Sequence, residues 1–257
     1  MPAATNCSWV GAWPTIAVSR ALQSATYGTQ QPRRLLAAGK LERVTTFELT
    51  PDELLTTTRT VRKRLDLERP VPMELVRECL EIALQAPSGS NRQTWHWLVV
   101  TDADKRAAIG EYYRRSVASY LDSASAAGRL YADDPNRAPV QQRIGSSVAY
   151  LGEKMGEVPV LVIPCIQAKS LPAGNQAGLW GSILPAAWSY MLAARARGLG
   201  TAWTTLHLTY EKEISDLLDL PEDIRQSALI PTAYSIGTTF QPAPRQPLTQ
   251  ALHLNTW

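Results

Sequence analysis

Apolar residues recur along the chain with two different periods, which predict helices in some segments and strands in others. The stretch 75–83 carries apolar residues three and four positions apart, the spacing of one helix face. The stretch 158–166 is almost wholly apolar, as in a central strand covered on both faces. Further strands are predicted at 95–100, 201–208 and 228–236.

Further helices are predicted from the same spacing and from their terminal residues. Thr50 suits the N-cap and Pro51 the first turn of a helix that is expected to continue into the basic segment 58–64. The stretch 182–197 is apolar nearly all round, like a helix buried in a core or a subunit interface, and Gly198 is expected to end it. The remaining helices are predicted at 104–126, 140–151 and 210–218. Such interleaving predicts an α+β fold, an α/β sandwich around a few buried strands.

Composition limits the class of protein. The 257 residues are 45% hydrophobic and 19% charged, as in ordinary globular proteins, and no apolar run approaches the length of a membrane-spanning helix. Cys79 and Cys165 lie in apolar patterns without paired spacing, which indicates buried thiols in a reducing compartment, the cytoplasm. The three histidines share no metal-ligand spacing, so no metal site is expected.

The basic charge is concentrated in the first 43 residues. The net charge is +3, but residues 1–43 carry five basic residues against one acidic residue, a net +4, which leaves the remainder at −1. Nucleic-acid binding by the body of the protein is therefore not expected.

Residues 1–43 also lack any sustained periodicity. Three interpretations compete for them: a disordered tail, a targeting segment, or translated sequence upstream of a true start near Val44. We favour the first and the third. The domain is expected to span 44–257, with an extended C-terminal tail at 238–257.

Two segments carry polar side chains suited to a ligand. Arg59, Thr60 and Arg62 offer two guanidinium groups and a hydroxyl that can grip a phosphate or a ring carbonyl, or else they form a solvated basic helix end. The segment 87–93 follows a helix that Pro87 would end, and it reads either as a binding loop for a flat, polar-edged ligand or as a simple connector.

Two later segments are weaker candidates. Residues 198–201 lead to Thr204 and Thr205 but lack the spacing and the strand-to-helix order of a dinucleotide fingerprint. Arg245 lies in a proline-bounded tail and, taken alone, is a solvated residue. Since no acid–base pair, nucleophile–base pair or metal cluster stands out, an enzyme built on this chain would need a cofactor.

Taken in order from about Leu49 to the C-terminus, these segments resemble the FMN-dependent nitroreductase family. The most specific motif is the Pro-Ser-x-x-Asn-x-Gln loop at 87–93. The resemblance implies an α+β sandwich with a mixed central sheet flanked by helices, and an intertwined homodimer with FMN at the subunit interface. It differs from the usual family pattern at Thr58, where an arginine is frequent, and at 237–239, where Gly-Tyr-Pro is common.

By position, the resemblance also assigns residues to the flavin. Those expected at the phosphate, ribityl chain and pyrimidine edge are Arg59, Thr60 and Arg62; those expected from the other subunit around the ring are Pro87, Ser88, Gly89, Asn91 and Gln93; those with backbone near N5 are Thr204 and Thr205; and a further phosphate ligand is Arg245.

The activity implied by the resemblance is a two-step oxidoreductase reaction. NADH or NADPH passes hydride to flavin N5 and leaves, and a nitroaromatic, a quinone or a similar planar acceptor then takes its place. Two alternatives stay open. The first is another reaction on the same fold, namely reductive dehalogenation, enone reduction or flavin fragmentation, selected by a lid that includes residues 128–139. The second is a flavin-binding or storage protein without turnover.

Overall fold

The computed structural model describes residues 47–257, so the expectations for residues 1–43 lie outside the described residues. Within the described range the chain forms six α-helices and five strands. In chain order they are α1 (Pro51–Thr57), α2 (Met73–Ala83), β1 (Trp95–Val100), α3 (Ala103–Asp122), α4 (Ala138–Lys154), β2 (Val160–Gln167), α5 (Ala177–Ala196), β3 (Leu199–Thr201), α6 (Glu211–Leu217), β4 (Ile224–Gln226) and β5 (Ile230–Tyr234).

One sheet with the strand order β1-β2-β5-β3 forms the centre, and β4 pairs with the C-terminal end of β2. The pairings between these strands are antiparallel, as in the register of Val162 opposite Val99 on one side and Ile230 on the other. A parallel pairing occurs at the bridge between Thr60 and Thr201. The predicted α+β class is confirmed, and the mixed character of the sheet lies in that bridge.

Strand β2 separates two hydrophobic layers, because its successive side chains point to opposite faces. Leu161 and Ile163 pack in a cluster with buried residues of α3 and α4, including Tyr113 and Leu151. Val160 and Val162 pack in a second cluster with buried residues of α2 and α5. The helices therefore cover both faces of the sheet, and the prediction of a fully buried central strand is confirmed.

Helix α1 ends earlier than predicted, and the helical prediction for 58–64 is wrong. Thr58 takes an extended conformation with φ −66° and ψ 122°. The amide of Val61 then donates to the carbonyl of Thr201 at 2.8 Å, and the side chains of Val61 and Leu65 join the core. Pairing with β3 and burial of these two residues outweigh the local helical tendency.

The strand predicted at 201–208 is also wrong beyond Thr201. Strand β3 ends there, Thr204 forms an isolated bridge with Leu229, and residues 206–210 form a short 3-10 helix. Strand β4 was not predicted, because Ile224-Arg225-Gln226 is too short to show a period. Within residues 47–257, none of the helices combines the length and the apolarity that a bilayer crossing requires.

Candidate functional site

The segment Arg59–Arg64 forms one wall of a cavity of about 410 Å³, which we call the arginine cavity. Ser147 of α4 and the tail residues 239–241 form the other walls. The lining includes four cationic side chains, those of Arg59, Arg62, Lys63 and Arg64, and no Asp or Glu. An acid-free cavity with this charge favours an anionic ligand.

Arg62 is one of the partly buried cations of this cavity. Its Nη1 donates to Ser147 Oγ at 3.1 Å, and burial lowers the pKa of its guanidinium, an effect partly offset by the nearby Tyr113 and Tyr120. Among the described residues no carboxylate forms an ion pair with Arg62 or Arg59. Since a half-buried cation without a counter-ion carries a desolvation cost, this group is well placed to accept an anion.

Arg59 and Arg64 both contact the C-terminal tail. Arg59 Nη1 donates to the Gln241 carbonyl at 2.8 Å. Arg64 Nε donates to the Ile236 carbonyl at 2.7 Å, and its Nη1 donates to the Thr239 carbonyl at 3.2 Å. Gly237 has φ +74°, and a Cβ added there would lie 2.7 Å from Arg64 Nη2. Glycine therefore lets the tail turn tightly over the Arg64 side chain.

Thr204 follows the strand that pairs with the arginine segment, and its position is fixed by a bridge to Leu229 and a hydrogen bond from α3. The Thr60–Thr201 bridge brings the two chain segments together. The hydroxyl of Tyr113 on α3 lies 3.1 Å from Thr204 Oγ1, and burial raises the pKa of this phenol, which keeps it protonated. Thr204 is buried whereas Thr205 is exposed.

The 87–93 loop has a defined and strained conformation. Ser90, Asn91 and Gln93 have φ values of 52°, 51° and 52°, in the left-handed region that disfavours residues other than glycine. The amide of Gln93 donates to Ser88 Oγ at 3.1 Å, and Gln93 Nε2 donates to Asn91 Oδ1 at 2.9 Å. Such strain at an exposed polar loop is typical of a ligand-binding segment.

Helix α5 contacts this loop and accepts a hydrogen bond from it. The amide of Gly89 donates to Ser182 Oγ at 3.0 Å, and a Cβ added at Gly89 would approach that oxygen to 3.2 Å. Pro87, Gly89, Asn91 and Gln93 remain exposed. Exposed apolar side chains lie near this loop in the chain or on the helix that contacts it: Ile82 at the end of α2, Leu84 just after α2, and Trp188 on α5.

The structure brings together only part of the predicted site. Arg59, Thr60 and Arg62 line the arginine cavity, but the 87–93 loop does not contribute to its lining. Arg245 is exposed, donates from Nη1 to the Pro244 carbonyl at 3.1 Å, and lines a second cavity further along the tail.

Sequence reasoning missed several residues of the arginine cavity. Lys63 and Arg64 belong to the same basic run as Arg62, so their positive charge could have predicted them as well. Ser147 and the tail residue Phe240 gave no signal, because their place depends on how α4 and the tail pack onto the arginine segment.

The nitroreductase family model matches residues 55–234, about 70% of the chain. The chain belongs to the nitroreductase family. The match includes the Arg59–Arg62 segment, the 87–93 loop and Thr204–Thr205, and it ends before Arg245.

Curated relatives in this family include two bacterial reductases and a deiodinase. A 4-nitrobenzoate reductase of Nocardioides sp. (strain LMS-CY) is 27% identical over 196 residues, which cover 66% of this chain and 74% of that protein. A chloronitrobenzene nitroreductase of Comamonas testosteroni is 29% identical over 199 residues, 67% of this chain and 81% of that protein. An iodotyrosine deiodinase of Thermotoga neapolitana is 24% identical over 195 residues, 76% and 91% of the two chains.

A solved structure with the same fold is an FMN- and NADPH-dependent nitroreductase from Sphigopyxis sp. strain HMH. It aligns with a TM-score of 0.61 at 20% identity and covers 81% of this chain and all of the other. At this identity the similarity establishes the fold of this nitroreductase-family chain and no more.

Proposed function

We propose that this chain is an FMN-dependent oxidoreductase that takes hydride from NADH or NADPH and reduces a planar acceptor, such as a nitroaromatic compound or a quinone. The observation that carries the proposal is the acid-free arginine cavity, formed by the segment that the family resemblance assigns to the flavin. Family membership and the FMN-dependent structural relative support the choice of cofactor.

The residues of the arginine cavity fit a phosphorylated flavin. Arg62 is half-buried and unpaired among the described residues, and Thr60 adds a hydroxyl beside it. Charge-assisted hydrogen bonds from such a guanidinium contribute about 1.5–3 kcal/mol each. Arg59 would exchange its bond to the Gln241 carbonyl for a phosphate oxygen, and Arg245 would reach the same group from the tail.

In this proposal the protein binds and orients FMN, which supplies hydride acceptance and delivery at N5. Arg62 would place positive charge at the pyrimidine edge, where a preorganised cation stabilises the negative charge of the reduced flavin. By the family resemblance, the backbone at Thr204 and Thr205 would be near the N5 side of the flavin ring. The Tyr113 hydroxyl fixes Thr204 and hence the position of that backbone.

We also infer that the site is completed by a second subunit. Within one chain, Pro87, Ser88, Gly89, Asn91 and Gln93 lie outside the lining of the arginine cavity. A homodimer would bring this loop to the flavin of the other subunit, at its ring and polar edge. The exposed apolar residues next to the loop support an interface there, because apolar groups of this size gain free energy from burial.

Anaerobic mixing of the purified protein with NADH and with NADPH tests the function. The proposal expects a yellow protein whose flavin absorbance falls with at least one nucleotide and returns when a nitroaromatic or quinone acceptor is added. A yellow protein that neither nucleotide reduces would instead support flavin binding without turnover. A colourless protein that does not bind added FMN would overturn the cofactor assignment.

Arg62→Ala tests the placement of the flavin. Loss of one charge-assisted contact should raise the Kd for FMN by about 10- to 100-fold and slow flavin reduction. Arg143→Ala is the matched control, because Arg143 is an exposed arginine on α4 outside the lining of the cavity. Unchanged FMN affinity and reduction rate in Arg62→Ala would exclude Arg62 from this role.

Reductive dehalogenation is the second candidate, and the similarity to an iodotyrosine deiodinase favours it. The reduced holoenzyme would then release iodide from 3-iodotyrosine. Iodide release at rates above those for nitroaromatic reduction would make dehalogenation the principal activity.

A further inference from the structure

The second cavity has a volume of about 810 Å³ and lies between α4, the turn before it and the C-terminal tail; we call it the α4–tail pocket. Its lining contains Arg137 and Arg245 and no Asp or Glu. The volume lies within the range of about 300–1,000 Å³ that is usual for small-molecule sites.

The α4–tail pocket and the arginine cavity are lined by the same two elements, α4 and the C-terminal tail. Val140 and Ile144 of α4 form an apolar strip in the pocket, and Ser147 on the same helix face lines the arginine cavity. The tail also lines both cavities: residues 239–241 line the arginine cavity and residues 244–246 line the pocket. A ligand in the pocket would therefore lie next to a cofactor held by the arginine segment.

A stacked pair of side chains forms one end of the pocket. The guanidinium carbon of Arg137 lies 3.2 Å from the centre of the Tyr131 ring. The turn between them fixes this arrangement, because the Asp134 amide donates to the Tyr131 carbonyl at 3.1 Å and the Arg137 amide donates to Asp134 Oδ1 at 3.1 Å. Tyr131 has φ +57°, a conformation that costs free energy in a residue other than glycine.

The Arg137 guanidinium keeps its hydrogen-bonding capacity. It donates no side-chain hydrogen bond to a residue of the described chain 47–257, and no carboxylate there forms an ion pair with it. The Asp134 carboxylate instead accepts from the backbone amides of Asn136 and Arg137. A guanidinium with free donors above an aromatic ring matches a carboxylate, which it can bind through two parallel hydrogen bonds.

We propose that the α4–tail pocket binds an aromatic acceptor that carries a carboxylate. Arg137 receives the carboxylate, and the ring of the acceptor packs on Val140 and Ile144. This proposal rests on the proposed function, because it names the substrate class of that site. Arg245 adds a second positive charge to the lining of the pocket.

The test compares two substrates of nearly equal size, 4-nitrobenzoate and the neutral 4-nitrobenzamide, with the holoenzyme. The wild type is expected to prefer the carboxylate by about 10-fold or more in kcat/KM at low salt, and Arg137→Gln is expected to remove most of that preference. Arg143→Gln on the solvent side of α4 is the matched control and is expected to keep it. An equal preference in wild type and Arg137→Gln would overturn the proposal.

Two further measurements separate this proposal from the proposed function. Calorimetric titration of 4-nitrobenzoate into the protein as isolated reports binding without turnover, and Arg137→Gln should weaken it by about 10-fold. FMN content is measured on each variant. Loss of FMN in Arg137→Gln would place Arg137 in the cofactor site and overturn the proposal. Absence of turnover together with Arg137-dependent binding of 4-nitrobenzoate would contradict only the proposed function.

Discussion

At the scale of single residues, His207 is a titratable group that lies in the protein interior. It is fully buried in the short 3-10 helix after Thr205, and neither ring nitrogen has a hydrogen-bond partner within residues 47–257. Burial lowers the pKa of His207 from 6.5 to about 3. The folded protein therefore holds a neutral imidazole that the unfolded chain would protonate below about pH 6.5.

This difference predicts that the folded state loses stability in mild acid. Between the two pKa values the unfolded chain binds one more proton than the folded chain, so the free energy of unfolding falls as the pH decreases. From about pH 7.5 to about pH 5 the loss due to His207 should be about 2 kcal/mol. Urea unfolding at a series of pH values measures it, and His207→Leu should flatten the dependence.

The window above pH 5 isolates the histidine from the carboxylates. Glu111 also has a shifted pKa, lowered to about 2 by hydrogen bonds from Arg114 and Arg115, but it titrates below its ordinary value of 4.5. The contribution of Glu111 to the free energy of unfolding is therefore lost only in stronger acid. Equal slopes for wild type and His207→Leu above pH 5 would mean that His207 becomes protonated without unfolding.

At the scale of elements, periodicity predicted α2 and β2 well, because each buries a regular pattern of apolar side chains. The basic segment 58–64 was misassigned since its conformation depends on pairing with Thr201, more than 130 residues away in the chain. Three of the ten residues that line the arginine cavity, Arg59, Thr60 and Arg62, could likewise be predicted from residue type. Ser147 was not, because tertiary packing alone brings α4 to Arg62.

Helix α3 is another element whose packing cannot be predicted from its own sequence, and it gives a second prediction. A Cβ added at Gly110 would lie 2.6 Å from the backbone nitrogen of Gly156, in the turn after α4. Backbone cannot move aside as a flexible side chain can, so α3 and this turn would have to separate. Gly110→Ala is expected to lower the free energy of unfolding by about 1–3 kcal/mol, although alanine favours helix in general.

Gly181→Ala on α5 is the control for that prediction, since no atom lies within 4 Å of its added Cβ in the single chain. It should leave stability unchanged or raise it by up to about 1 kcal/mol. Thermal and urea unfolding measure both variants. A Gly110→Ala protein as stable as Gly181→Ala would show that α3 and the turn tolerate a wider separation.

At the scale of the whole molecule, the single chain presents two incomplete parts of one proposed site. The arginine cavity lies between α4 and the tail, whereas the 87–93 loop lies on α5 with its polar groups exposed. Trp188 on α5 is also exposed, and tryptophan is enriched among the few interface residues that contribute about 2 kcal/mol or more to binding. The proposed homodimer explains why the 87–93 loop and Trp188 are both exposed in the single chain.

Trp188→Glu tests whether assembly and cofactor binding depend on one surface. A charge in an apolar interface carries a large desolvation cost, so sedimentation should show a monomer. If the 87–93 loop completes the flavin site of the other subunit, FMN affinity should fall in the same variant, although Trp188 lines neither cavity. Trp188→Phe keeps the apolar surface and should retain both the dimer and the flavin. A Trp188→Glu monomer that binds FMN like the wild type would place the whole flavin site within one chain, and a Trp188→Glu dimer would place the interface elsewhere.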